Sequence, residues 1–100
     1  MTHSTRPSIL LVEDDRTQAA LIERWLKPRY DVLHCEDGDV GVETAQRGSF
    51  DLVLSDIRLP GCSGIELTAA VGKRSDAPPV LLMTSETDVQ LDPPQPPAEA

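Results

Sequence analysis

Three short apolar runs in this chain of 100 residues each end in oxygen-bearing side chains. Glu13-Asp14-Asp15 follow Ile9-Leu10-Leu11-Val12, Asp56 follows Leu52-Val53-Leu54-Ser55, and Thr84-Ser85 follow Val80-Leu81-Leu82-Met83. If the first two runs are neighbouring strands, Glu13, Asp14 and Asp56 converge. Two like charges ~5 Å apart repel by about 3 kcal/mol at an effective dielectric of ~20. Such a group must take up a proton or hold a cation. A hard divalent ion with oxygen ligands, chiefly Mg2+, suits it, because its octahedral shell leaves room for waters and phosphate oxygens. One carboxylate can then act as a nucleophile toward phosphorus, giving an aspartyl phosphate. The Thr84 hydroxyl is placed to donate a hydrogen bond to the phosphoryl oxygens.

Elements that could hold such a pocket are legible along the chain. Uninterrupted apolar runs such as Ile9 to Val12 read as strands covered on both faces, the habit of parallel sheets. Ala19, Ile22, Trp25 and Leu26 recur at helical spacing. Asp14 or Asp15 is expected to cap that helix, Trp25 to anchor it on the sheet, and Pro28 to stop it, since the residue before a proline avoids helical angles. A second strand is expected over Tyr30 to Cys35, and a weaker helix over Asp39 to Arg47 with Gly48 as its C-cap glycine. Phe50 to Ser55 reads as the third strand, Ile65 to Val71 as a helix, and Val80 to Met83 as the fourth strand. The alternation implies a parallel sheet with right-handed crossovers and helices on both faces. Ligands of such sheets lie beyond the carboxyl ends of the strands, where the polar residues fall.

Composition narrows the function. Nine Lys and Arg against seventeen Asp and Glu leave a net charge of −8, which argues against coating nucleic acid. No apolar run is long enough to span a bilayer, and residues 1–8 lack the apolar core of a secretory signal. A soluble, cytoplasmic domain is expected, with no nucleic-acid or membrane partner. Cys35 and Cys62 are expected as free thiols, and His34 as a packed or partly exposed histidine.

The three motifs, in their order and with Ile57-Arg58-Leu59-Pro60-Gly61-Cys62-Ser63-Gly64 after Asp56, resemble the receiver domains of bacterial two-component response regulators. The resemblance runs from about residue 7 to residue 86. It implies an α/β fold with an open, doubly wound parallel sheet of flavodoxin-like topology and strand order 2-1-3-4. It makes Asp56 the phosphoacceptor, Glu13 and Asp14 the acidic pair with Asp14 the direct metal ligand, and Arg58 a metal ligand through its backbone carbonyl. Thr84 matches the switch hydroxyl, while Pro60 and Gly64 match the loop that shapes the site. The cofactor implied is Mg2+, and the phosphoryl donor a histidine kinase or a phosphotransfer protein. At most the domain catalyses its own aspartyl phosphorylation and dephosphorylation, so no other enzyme activity is expected.

The chain also departs from that pattern. No Lys or Arg follows Arg74 and no aromatic residue follows Phe50, so the family's lysine and the aromatic residue of its fifth strand have no counterpart. The expected organisation is a lead-in over 1–7, a partial receiver over 8–86 without the fifth strand and fifth helix, and a disordered, acidic, proline-rich tail over 87–100. The alternative expectation is a truncated remnant that does not signal and acts only as an interaction module, with a protein partner completing its sheet. A phosphatase of the haloacid-dehalogenase type is echoed only faintly by Glu13 to Thr17, because Glu13 stands where that family has its nucleophilic aspartate.

Overall fold

A computed structural model describes residues 6–83 of the chain. The elements alternate as β1 (Ser8–Val12), α1 (Arg16–Leu26), β2 (Asp31–Cys35), α2 (Gly38–Arg47), β3 (Leu52–Asp56), α3 (Gly64–Val71) and β4 (Val80–Met83). All pairings are parallel and the strand order is β2-β1-β3-β4, as the resemblance implies. Thr84, Ser85 and the expected tail lie outside the described residues.

The registers explain why the apolar runs are continuous. Leu10 pairs with Leu33 and Val53, and Val12 with Cys35 and Ser55. Leu10, Val12, Cys35 and Val53 meet Ala45 of α2 and Leu67 and Val71 of α3 in one core cluster. Strand side chains alternate between faces, so Ile9 and Leu11 point to the opposite side, where the right-handed crossover puts α1. Both are almost fully buried, as is Ala19 of α1. Central strand β1 is therefore apolar at every position because both its faces are covered.

Two local expectations need correction. Trp25 does not anchor α1 on the sheet: it is 73% exposed, and Ala19 makes the close approach instead. At helical spacing Trp25 falls beside Leu21, which is also exposed, so the apolar stripe is wider than the contact. The helix does stop before Pro28, but Lys27 keeps helical angles (φ −56°, ψ −30°). The stop comes from the missing proline N–H, which cannot return a bond to Arg24. Gly48 is the C-cap of α2, as expected, though without a left-handed angle. Its φ is −99°, and a Cβ there would lie 2.9 Å from the Phe50 ring, so glycine makes room for Phe50.

Arg74 ties the helical layer together. Its guanidinium donates to the carbonyls of Ala45 (2.6 Å) and Gly48 (2.8 Å) at the end of α2, and forms a salt bridge with Asp76. Helix C-termini leave carbonyls without intrahelical donors and carry partial negative charge, and one cation here satisfies both demands.

Candidate functional site

Each residue of the Glu13-Asp14-Asp15 run has a separate task. Asp15 caps α1, accepting from the amides of Thr17 and Gln18 through one oxygen. That settles which aspartate is the cap and leaves Asp14 for the pocket. Glu13 extends the β1–β2 ladder by one bond, its N–H to the Cys35 carbonyl at 2.9 Å, and its side chain turns inward to complete burial.

Beside it, β3 ends on Asp56, only 4% exposed. The loop that follows is folded tightly over the strand end. Gly64 N–H donates to the Ile57 carbonyl at 2.8 Å, and a Cβ on Gly64 would come within 2.5 Å of the Asp56 carbonyl oxygen. Glycine at the start of α3 is thus what lets that helix sit against the end of β3. Gly61 takes the left-handed φ of +84° that turns the loop, and Pro60 accepts from Gly38 N–H at 3.0 Å, tying the loop to α2.

Oxygens of Glu13, Asp14 and Asp56 lie within 4.8 Å of one another. The sequence predicts that convergence if the two strands are neighbours, and the β1–β3 pairing makes them so. Arg58 joins the site through its amide, which donates to Asp56 Oδ1 at 3.1 Å. Thr84 lies outside the described residues, immediately after β4.

The charges are poorly compensated. Glu13 Oε2 accepts from the Asp15 amide at 3.0 Å, but Oε1 is buried and has no donor. Burial foremost, with the Asp56 and Asp14 carboxylates adding, pushes the Glu13 carboxyl up to about 7 against the Asp15 hydrogen bond, which pulls it down. A carboxylate oxygen facing other carboxylates can share only a proton or a cation with them. The donor set is all oxygen, two of the groups are buried and one exposed, which fits a hard divalent ion that keeps some of its water. The residues present therefore fit Mg2+.

One contact at the site was not legible in the sequence. His34 Nε2 lies 2.7 Å from the Glu13 carbonyl oxygen. A lone histidine on a strand gives no such signal; the parallel register that sets Leu11 beside His34 does.

Among known families, the response regulator receiver domain matches residues 9–92. The transcriptional activator protein PfeR of Pseudomonas aeruginosa is 44% identical over 80 residues, 79% of this chain and 26% of that protein. The response regulator ArlR of Staphylococcus saprophyticus is 35% identical over 81 residues, 80% of this chain and 36% of that protein. The chain thus spans only about a quarter to a third of the length of these relatives. Among solved structures, the receiver domain of the sensor histidine kinase PA1611 of Pseudomonas aeruginosa, with a magnesium ion coordinated in its active site cleft, superposes with a TM-score of 0.76 at 31% identity. That match covers 80% of this chain and 68% of the other. The chemotaxis response regulator CheY4 of Vibrio cholerae gives a TM-score of 0.76 at 30% identity, over 83% of this chain and 72% of that one.

Proposed function

Because the chain belongs to the response regulator receiver domain family, we propose that it accepts a phosphoryl group on Asp56 with the help of Mg2+, as a module of two-component phosphorelay signalling. The observation that carries this reading is the donorless, buried Oε1 of Glu13 set among the carboxylates of Asp14 and Asp56. In this reading Asp14, Asp56 and the Arg58 backbone carbonyl would hold the metal directly, and Glu13 would complete the acidic set. When bound, the ion neutralises the acidic pocket and the charge of the transferring group.

An Asp56 carboxylate oxygen attacks phosphorus in line. The phosphorus–oxygen bond forms as the phosphorus–nitrogen bond to a phosphohistidine donor breaks, and the departing imidazole nitrogen takes up a proton from solvent. The Arg58 amide, bonded to Asp56 Oδ1, orients the nucleophile. Thr84 is proposed to donate its hydroxyl to a phosphoryl oxygen. The donor is a histidine kinase or a phosphotransfer protein, and the exchange takes place in the cytoplasm. No helix among the described residues is long and apolar enough to cross a membrane. The only catalysis in this role is the domain's own phosphorylation and dephosphorylation at Asp56.

The test is intact mass after incubation with Mg2+ and a small acyl phosphate. One phosphoryl group (~80 Da) should be added, and Asp56→Asn should abolish the adduct. A folded, Mg2+-saturated protein that gains no mass refutes the proposal.

A further inference from the structure

Strands β1 and β2 run in parallel, with Val12 opposite Cys35 as the last register pair. The ladder makes one bond past that pair, from Glu13 N–H to the Cys35 carbonyl. Beyond Cys35 the chain leaves the sheet, and Asp37 caps α2 with its side chain. Among the described residues no backbone amide of that segment returns a bond to Glu13. The Glu13 carbonyl is taken by a side chain instead, His34 Nε2 at 2.7 Å. A carbonyl oxygen can only accept, so Nε2 must carry the hydrogen. The other ring nitrogen faces α1, where Glu23 Oε1 is 4.0 Å from Nδ1. Glu23 is itself paired with Lys27 at 3.0 Å. The side chains of His34 and Glu23 are each only about a fifth exposed (19% and 21%).

The bonded carbonyl belongs to the peptide group that joins Glu13 to Asp14. Rotation of that peptide changes ψ of Glu13 and φ of Asp14 together, and so swings the acidic pair relative to Asp56. Peptide planarity means that a bond to its oxygen fixes the whole group. We propose that His34 is a positioning residue of the acidic pocket, whose Nε2–H locks the Glu13–Asp14 peptide so that both carboxylates face Asp56. The inference rests on the reading of that pocket as the Mg2+ site.

Two measurements on the full chain test it. The first is Mg2+ titration followed by amide NMR shifts at pH 8. His34→Phe keeps a ring but loses the donor, and should weaken Mg2+ affinity about threefold to tenfold, the worth of one neutral hydrogen bond. His34→Gln restores a donor at similar reach and should stay within about twofold of the wild type. A phenylalanine variant that is folded yet binds as well as the wild type overturns the inference, as do equal losses in both variants. The phosphoryl adduct on wild-type protein separates the two ideas: if it forms while His34→Phe binds Mg2+ normally, the positioning role falls and the function stands. If the wild type takes up neither Mg2+ nor phosphate, both fall. The second measurement is the 15N spectrum of the wild-type ring, which should show Nε2 protonated. A neutral Nδ1–H ring overturns the inference even where His34→Phe fails to fold.

Discussion

Replacing Glu13 by Gln keeps the shape of the side chain and removes its charge, so it isolates what the buried carboxylate costs. In the fold this group titrates at about 7, against an ordinary value of 4.5. The folded form therefore binds the proton more tightly than the unfolded chain. Stability contributed by that proton is complete below pH 4.5 and is lost as pH rises through about 7. A gap of 7 − 4.5 = 2.5, at ~1.36 kcal/mol for each unit, is about 3 kcal/mol. Asp14 of the same pocket is exposed, so solvent screening lowers the figure and about 3 kcal/mol is its upper bound.

Urea unfolding without divalent ions measures the effect. At pH 5 the wild type and Glu13→Gln should agree within about 1 kcal/mol, and at pH 8 the variant should be more stable, by up to about 3 kcal/mol. Titrating groups outside the pocket are common to both proteins and cancel in the difference. Saturating Mg2+ at pH 8 should erase most of the gap by stabilising the wild type, since a ligand that binds only the folded form raises its stability. The same ion should help much less at pH 6, where it must displace the Glu13 proton. A difference between the two proteins that does not change from pH 5 to pH 8 would refute the account of the pocket.

Three further substitutions probe the frame around it. Arg74→Ala removes a cation from the Ala45 and Gly48 carbonyls and should lower unfolding stability by about 1.5–3 kcal/mol, with little change in Mg2+ affinity. Gly64→Ala forces a methyl against the Asp56 carbonyl oxygen; it should cost about 1–3 kcal/mol in the same assay and also weaken Mg2+ binding, because relief requires the end of β3 to move. Trp25→Ala should change stability by no more than about 0.5 kcal/mol, as befits an exposed side chain. A larger loss, seen by thermal melting, would show that the indole packs on the fold after all.

What the sequence revealed and what it hid divide along the range of the forces involved. Continuous apolar runs and punctuating prolines and glycines are local signals, and they located all four described strands within two residues of their observed ends. The pocket was legible because strand ends in a parallel sheet share one edge: once β1 and β3 are neighbours, residues that follow each run must meet. The errors lie where a residue type has several uses. Trp25 matches a helical stripe, but the stripe gives a direction and not a contact; whether an indole is covered depends on what stands opposite it. Gly48 is the helix cap that its position predicts, yet the reason for glycine there, the nearby Phe50 ring, shows only in three dimensions. His34 is the clearest case. Nothing adjacent in the chain marks it, because its partner is a carbonyl 21 residues away. That pairing is set by the β1–β2 register together with the turn that takes the chain out of the sheet after Cys35. A functional role that depends on two long-range choices at once leaves no periodic trace, which is why side chains that replace a missing backbone bond must be sought at strand ends in three dimensions.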